Sequence, residues 1–291
     1  MGNHRTAAAR ACRRGTPAAR GKLRPLLLLV LLLGAVAVAA APTRVASLNL
    51  CTDSLLFELL PDSDIVSVTS LSRDANLSYF HQRAAHIDVN HGAVEELLAR
   101  HPDLVVTADN TDALARRMLG QLGLRVLSLP SANRLEDYRH NLRQLAAVLD
   151  KSARAEQLLT QLEQAVAVVP QTPLRALVYQ PNGYTPGRGS LMHEMLAYAG
   201  LRNMAVSLGL ANGGYLSLES LLLTQPDMIV FSQRRSERPS LAEAQLAQPA
   251  LRKLFKRDEA RVLRAAVPEN LWTCAGAFNG EAVALLRGAR P

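Results

Sequence analysis

The sequence predicts an α/β protein of two similar lobes with mostly parallel sheets, joined by a long α-helix and enclosing a ligand cleft. Three observations predict this fold class. Strand and helix patterns alternate along the chain, one pattern occurs twice, and the middle of the chain is helical without a flexible linker. Alternating strands and helices are typical of parallel βαβ units with right-handed crossovers.

The repeated pattern reads Glu-x-Leu-Leu, three variable residues, Pro-Asp and three apolar residues. It begins at Glu95 and again at Glu219, 124 residues later, and the copies align without a gap. The Leu pair marks a helix face, proline disfavours helix in the residue before it, and the apolar triplet is typical of a strand covered on both faces. Two equivalent helix–strand units are therefore indicated, with chance similarity as the alternative.

The first 39 residues are predicted to be a signal peptide rather than part of the fold. Seven Lys and Arg residues precede an apolar run from Leu26 to about Ala40, and Ala37-Val38-Ala39 is a small-residue cleavage site. The run is short for a membrane span of about 20 residues, so a retained anchor is the lesser alternative. We therefore expect an exported, periplasmic protein that is cleaved near Ala39.

Removal of the leader changes both the charge and the cysteine count. The formal net charge is +8, and the leader holds seven basic and no acidic residues, which leaves +1. A nucleic-acid partner loses its main support. Cys51 and Cys274 remain, which permits one disulfide but does not make a disulfide scaffold.

The elements of the first lobe are expected in strand–helix order. Thr52 or Asp53 is the expected N-cap of a helix that follows the first strand and ends near Pro61. Gly123 is expected to stop the last helix of the lobe. The predicted strands are 44–48, 65–69, 104–107 and 125–129, and the last predicted helix is 112–122.

Two amphipathic helices, at 135–148 and 153–168, are predicted between the lobes with only the short segment Asp150-Lys151-Ser152 between them. Because no Gly/Ser linker is present, the connection is expected to be stiff. The expected divisions are an N-terminal α/β lobe at 40–150, a connecting backbone helix at 151–170 and a C-terminal α/β lobe at 171–291.

The second lobe is expected to repeat the strand–helix order. Ser190 is the expected N-cap of a helix ending at Gly200, and Ser217 is the expected N-cap of the second repeat helix. The predicted strands are 174–179, 228–231 and 261–263, and further helices are predicted at 251–255 and 278–286.

The chain resembles a substrate-binding protein of an ABC importer, of the class whose two Rossmann-like lobes are joined by one long helix. The resemblance covers essentially the whole mature chain. The residues that carry it are Arg-Val-Ala-Ser-Leu-Asn-Leu-Cys-Thr-Asp at 44–53, both repeat copies, Gly-Leu-Arg-Val at 123–126 and the helical crossing to Val168.

The resemblance implies binding rather than chemistry. The expected ligand is a metal chelate, with a corrinoid such as cobalamin first and a ferric siderophore or haem next. The protein would deliver it to an ABC permease in the inner membrane, acting as a monomer with no cofactor of its own. An exposed acidic residue on each lobe would meet the permease, and Asp112 and Glu219 are candidates by location. For Glu219 the alternative is that it only complements the helix N-terminus.

Candidate ligand contacts lie in loops that follow predicted strands, because ligands of open α/β sheets sit beyond the carboxyl ends of the strands. Trp272, the only Trp, offers a plane for stacking on a macrocycle, with a core position as the alternative. Tyrosines in polar loops offer surface and a hydroxyl, and arginines can meet carboxylates. The candidates are Cys51, Thr52, Arg73, Tyr79, Asn110, Tyr184, Tyr215, Arg234, Trp272 and Cys274.

Three states are open to the pair Cys51 and Cys274: a disulfide, a soft metal-facing contact, or inert burial, which we favour. Two other functions stay open as alternatives. A receptor for a bare transition-metal ion is suggested by His81, His86 and His91, although their spacing of five places them on no common face of a regular helix or strand. An exported enzyme would need Cys51 as nucleophile, and no nucleophile elbow, paired carboxylates or phosphate loop supports it.

Overall fold

The computed structural model confirms the predicted fold class, with two α/β lobes and mostly parallel sheets. It describes residues 41–111, 113–167, 172–234 and 262–291. Within these residues, no helix is long and apolar enough to cross a membrane.

The first lobe holds a five-stranded sheet in the order β3-β2-β1-β4-β5, with all neighbours parallel. Every residue of the interior strand β4 is buried, as expected for a strand covered on both faces. The strands are β1 (Val45–Ser47), β2 (Ile65–Thr69), β3 (Val89–Asn90), β4 (Leu104–Ala108) and β5 (Val126–Leu129).

Helices of the first lobe connect these strands. Asn49 is the N-cap of the first helix, because its side chain accepts a hydrogen bond from the Cys51 N–H. The prediction of Thr52 or Asp53 as the N-cap is wrong, because both residues lie within the first turn of the helix, where their side chains are buried. The helices are α1 (Leu50–Leu59), α2 (His81–Ala84), α3 (Val94–Leu98) and α4 (Ala113–Gln121).

Two long helices lie between the lobes in sequence, α5 (Leu135–Val148) and α6 (Ser152–Val166). They are joined by a tight turn in which Asp150 adopts a φ of 54°. Their apolar faces are buried in the main core, which includes Leu142, Leu145, Leu159 and Leu162. The predicted pair of amphipathic helices is therefore present, within two residues of the expected bounds.

The second lobe holds a four-stranded sheet in the order β11-β10-β6-β8, with parallel neighbours, and a separate antiparallel pair, β7-β9. Ser190 and Ser217 cap helices as expected. The strands are β6 (Leu174–Val178), β7 (Tyr184–Thr185), β8 (Leu201–Asn203), β9 (Gly214–Tyr215), β10 (Met228–Gln233) and β11 (Leu263–Pro268). The helices are α7 (Leu191–Tyr198), α8 (Leu218–Thr224) and α9 (Asn279–Gly288).

The two copies of the repeated pattern adopt the same structure. In each copy a short helix, α3 or α8, leads into a central buried strand, β4 or β10. Between helix and strand, His101 and Gln225 stand at equivalent positions, and both have a φ of 47°. A left-handed residue is uncommon outside glycine, so the shared backbone supports equivalence over chance.

The aspartate of each copy also plays the same part. Asp103 accepts a hydrogen bond from the Arg44 N–H at 3.1 Å, and Asp227 accepts one from the Arg175 N–H at 2.7 Å. Each arginine stands at the start of the first strand of its lobe, β1 or β6. The repeated pattern is therefore structural. In each lobe its aspartate holds the first strand, β1 or β6, beside the buried strand of the pattern, β4 or β10.

Two predictions for the second lobe differ from the structure or lie outside it. The strand expected at 261–263 is β11, which begins at Leu263 and runs to Pro268. The helix predicted at 251–255 lies outside the described residues. Neither change alters the sheet order that positions the loops after β10 and β11.

Candidate ligand-binding site

The site begins where the strand order of the first sheet reverses, between β1 and β4. Ligands of such sheets bind in the crevice beyond the carboxyl ends of the strands at this point. Asn49 follows β1, Asn110 follows β4, and the Asn49 amide nitrogen donates to the Asn110 side-chain oxygen at 3.3 Å. Asn110 is exposed there, whereas Thr52 is buried with its hydroxyl 2.7 Å from the Ser47 hydroxyl.

A cavity of about 220 Å³ lies between the lobes at this crevice. The first lobe lines it with the loops after β1, β4 and β5, and the second lobe with the segment that follows β11. Its polar surface comes mainly from asparagine and hydroxyl side chains. The lining includes Asn49, Asn110, Ser131, Asn133, Asn141 and Thr273.

A disulfide between Cys51 and Cys274 crosses from one lobe to the other beside this cavity. The Cα atoms are 5.2 Å apart, and 223 residues separate the two cysteines along the chain. Of the three states left open by the sequence, the disulfide is the one present, and the preference for inert burial was wrong. A disulfide sulfur is no thiolate, so the enzymatic alternative loses its nucleophile.

A second cavity between the lobes, of about 350 Å³, is lined by Tyr79 and Asn76 from the first lobe and by Gln233, Glu269 and Asn270 from the second. These residues lie at the end of β10 and in the segments that follow β2 and β11. The carboxyl ends of both sheets therefore converge on one interlobe region, as the sequence predicted.

Tyr79 is half-buried at the edge of this second cavity. Its ring stacks on Phe278 with centroids 4.6 Å apart, and its hydroxyl donates to Glu281 at 2.5 Å. The hydrogen bond to Glu281, with burial, raises the pKa of Tyr79 to about 12. In this structure Tyr79 joins the lobes, and its phenol is already engaged.

Tyr184 and Tyr215 form an exposed aromatic pair in the second lobe. Tyr184 follows β6 and pairs with Tyr215 in the β7-β9 ladder, and their rings meet edge to face at 5.6 Å. Tyr215 is 73% exposed and Tyr184 is 37% exposed. The sequence treated these tyrosines separately, and the structure brings them together beyond the carboxyl end of β6. We call this pair, on its two strands, the tyrosine platform.

Trp272 lies in the core rather than on a cleft surface. It is only 2% exposed, and its indole N–H donates to the Ser232 hydroxyl at 3.0 Å. The expected stacking face is therefore absent, because packing between β10 and the segment after β11 covers the ring. The alternative of a core position, also predicted, is correct.

The two candidate arginines differ in what they contact. The Arg73 guanidinium donates to the carbonyl oxygens of Ala84 and Ile87, at 3.2 and 2.7 Å, and so braces the segment that carries α2. Arg234 follows β10 and forms an ion pair with Glu269 at 3.3 Å, beside the second cavity. Arg234 is thus placed at the cleft, while Arg73 supports the first lobe.

The histidines do not assemble a metal centre. The His91 ring lies 3.0 Å from the Glu96 carboxylate, and the His81 ring lies 3.2 Å from the Ser78 carbonyl oxygen. Among the residues that the structure describes, no group of three His, Cys, Asp or Glu side chains is arranged to hold a metal ion.

Of the two candidates for docking on the permease, the structure describes Glu219. Glu219 is exposed in the first turn of α8, where it also complements the helix N-terminus. Asp112 lies outside the described residues.

Two buried acids are functional candidates that the sequence did not single out. Glu58 on α1 accepts hydrogen bonds from the Ala277 N–H at 2.7 Å and the Tyr138 hydroxyl at 2.9 Å. Burial raises the pKa of Glu58 to about 7. Asp53 accepts from Thr69 and Ser72, and burial raises its pKa to about 6. Ala277 is 219 residues from Glu58, so no local pattern could have revealed this contact.

Comparison with known proteins identifies the family. Residues 45–256 match the periplasmic binding protein family, which is most of the chain, and the chain belongs to that family. Members of this family are binding proteins of the periplasm. Among curated proteins, none matches the chain by sequence similarity.

Solved structures share the fold at low sequence identity. The periplasmic haem-binding protein HutB of Vibrio cholerae is 20% identical, with a TM-score of 0.68 over 84% of this chain and 98% of that one. A periplasmic haem-binding protein of Pseudomonas aeruginosa is 23% identical, with a TM-score of 0.63 over 85% and 92%. A possible iron-binding, periplasmic solute-binding protein of Staphylococcus epidermidis is 17% identical, with a TM-score of 0.67 over 86% and 99%.

Proposed function

We propose that this periplasmic binding protein is exported with cleavage near Ala39, captures a metal chelate between its lobes and delivers it to an ABC permease in the inner membrane. The tyrosine platform is the observation that carries the choice of ligand. Two aromatic rings lie exposed beyond the carboxyl end of β6, although exposing them gives up apolar burial that a purely structural pair would gain. A ligand with a broad apolar face would cover them.

The chemistry of the platform favours a planar metal macrocycle over a bare ion. Aromatic rings stack on flat π-systems, and a phenol oxygen is an established ligand of haem iron. The amide and hydroxyl groups of the cavity, including Asn49, Asn110 and Thr273, suit the polar substituents of such a ligand. The similar structures named for haem support placing haem ahead of a corrinoid, which reverses the order expected from sequence.

Ligand titration of the exported protein tests this proposal. Haemin, cyanocobalamin and a ferric trihydroxamate are added separately, and absorbance and Trp fluorescence are followed. We expect at least one to bind at about micromolar or tighter, in the range typical of specific ligands. Binding of none of them would exclude the proposed ligand class.

Variants of the platform separate the contribution of an aromatic ring to binding from that of its phenol oxygen. Tyr215→Ala removes ring and phenol and is expected to weaken binding about tenfold or more. Tyr215→Phe keeps the ring, so a loss with Phe assigns the effect to the phenol oxygen. Leu223→Ala, at another exposed apolar residue of the same lobe, is the matched control and should bind normally. Equal affinity in all variants would remove the platform from the site.

For delivery, we propose that Asp112 and Glu219 meet basic groups of the permease. Glu219 supports this proposal because its carboxylate is exposed on the surface of the second lobe. A Glu219→Arg protein should keep its ligand affinity and lose uptake in cells. Uptake at the wild-type rate would exclude Glu219 from docking.

A further inference from the structure

The Cys51–Cys274 disulfide joins two walls of the ligand cavity. Cys51 is the second residue of α1, directly after the loop that carries Asn49. Cys274 stands between Thr273 and Ala275, which line the same cavity from the second lobe. A disulfide holds its Cα atoms within about 7 Å of each other, so these walls cannot separate at this point.

A second contact fixes the same pair of elements two turns further along α1. Glu58 is seven residues after Cys51, which places both on one face of the helix. Its carboxylate accepts a hydrogen bond from the Ala277 N–H at 2.7 Å. Ala277 lies three residues after Cys274. The α1 helix of the first lobe is thus aligned along the segment 274–277 of the second lobe, by one covalent bond and one partly buried hydrogen bond.

Noncovalent contacts between the lobes accompany these two. The Tyr79 ring stacks on Phe278, and the Asn270 amide nitrogen donates to the Ala75 carbonyl oxygen at 3.1 Å. Both contacts lie beside the second cavity and are partly exposed. Cys274 and Ala275 belong to the buried core, whereas Cys51 is only partly buried beside it. Opening the disulfide therefore loosens the cavity wall at Cys51 while leaving the sheets of both lobes intact.

We propose that the Cys51–Cys274 disulfide is a positioning pair for ligand binding: it holds the two cavity walls at the spacing that the ligand requires. This inference rests on the proposed function. A preorganised cavity loses less conformational freedom when it binds, so the oxidised protein binds more tightly than the same protein without the bond. A bond that served stability alone would leave the affinity of the folded protein unchanged.

The test compares the oxidised full-length exported protein with Cys51→Ser/Cys274→Ser, using haemin and cyanocobalamin as probes without added thiol. We expect roughly tenfold weaker binding and faster dissociation for the double variant, at a temperature where circular dichroism shows it folded. Leu221→Ala is the matched control, since it opens a cavity in a separate core cluster that excludes both cysteines. It should lose stability and keep its affinity.

A ligand-free measurement keeps the inference testable if the double variant does not fold. Dithiothreitol reduces the disulfide by two electrons. The reagent is itself oxidised to its cyclic disulfide, and each cysteine sulfur of the protein takes up a proton. Hydrogen exchange is expected to accelerate at the start of α1 and across 270–281 in the reduced wild-type protein. Unchanged exchange there, or unchanged haemin and cyanocobalamin affinity in a folded double variant, would overturn the positioning role.

The two proposals fail in different ways. If neither the oxidised protein nor the variant binds either probe, and the ferric trihydroxamate fails to bind as well, the proposed function fails, and hydrogen exchange alone decides whether the disulfide fixes the walls. If both bind equally, the function stands and the positioning role fails.

Discussion

At the scale of single residues, Glu58 is a buried carboxyl group on which three elements converge. It accepts hydrogen bonds from Tyr138 on α5 and from Ala277 before α9, while it lies on α1 itself. Burial raises its pKa from the ordinary 4.5 to about 7. The folded protein therefore holds a proton at Glu58 that the unfolded chain releases between these two values.

This shift predicts a pH dependence of stability that Glu58→Gln removes. The contribution is fully present below pH 4.5 and is lost as the pH rises to about 7, since the folded state binds more protons in this window. It amounts to up to about 3 kcal/mol. Gln stays neutral: its amide oxygen can accept the Ala277 N–H, and its amide nitrogen can donate to the Tyr138 hydroxyl, which reverses that hydrogen bond. The variant should therefore gain stability relative to wild type across the window and level off above it.

Urea unfolding followed across this pH range measures the difference. Burial raises the pKa of Asp53 to about 6, so that acid adds a pH dependence that both proteins share. Glu163→Gln, at an exposed carboxyl group of α6, is the control and should follow wild type. The same pH dependence in Glu58→Gln and wild type would contradict the role of Glu58.

Residue types in loops could be predicted from sequence, but their partners could not. Asn110 was expected in a loop after a strand and lies there, whereas Tyr184 and Tyr215, also expected in loops, lie on the short strands β7 and β9. Trp272 follows the same rule, yet its ring is buried because Ser232, 40 residues away, accepts its N–H. Whether a loop side chain faces ligand or core depends on contacts between distant segments, and no local pattern records them.

At the scale of elements, the tyrosine platform depends on close backbone packing. Gly187 lies beside the turn that precedes β9, and a Cβ atom there would come within 3.0 Å of the Gly213 nitrogen and the Ala211 oxygen. Both of these are backbone atoms, so relief requires the turn to move. The platform therefore needs glycine at this position.

Gly187→Ala is expected to destabilise the protein by about 1–3 kcal/mol and to weaken binding of the ligand found by titration. The matched control is Gly120→Ala in α4, where no atom lies within 4 Å of the added Cβ. Alanine there should stabilise the helix by up to about 1 kcal/mol. Thermal unfolding and titration report both effects, and a Gly187→Ala protein with normal stability and affinity would contradict the packing requirement.

Long amphipathic elements could be predicted closely, and very short ones could not. The helix expected at 135–148 has these bounds, because its apolar residues recur with a helical period. The strands β3, β7, β8 and β9 have two or three residues each, too few to show any period. They form because neighbouring strands or loops supply their partners, and β7 and β9 build the platform itself.

At the scale of the whole molecule, the two lobes share one core. The main cluster of buried residues includes Val45 and Leu104 from the first sheet, and Val178 and Val230 from the second. The helices α5 and α6 contribute to the same cluster, and the Cys51–Cys274 disulfide crosses between the lobes. The repeat predicted two equivalent lobes, but only the structure shows that one main core runs through both, in addition to a smaller buried cluster within each lobe.

A shared core predicts that both lobes unfold together. Far-UV circular dichroism reports all elements, whereas the fluorescence of Trp272, the only Trp, reports the buried segment after β11. We expect the two signals to change at the same urea concentration, in a single transition. Closing a loop of 223 residues stabilises by about 5 kcal/mol in the chain-entropy description, so Cys51→Ser/Cys274→Ser should unfold at lower urea. Because the core stays continuous without the bond, the circular dichroism and fluorescence signals of this double variant should still change together. A separate early fluorescence change would show that the disulfide, rather than the core, makes the lobes one unit.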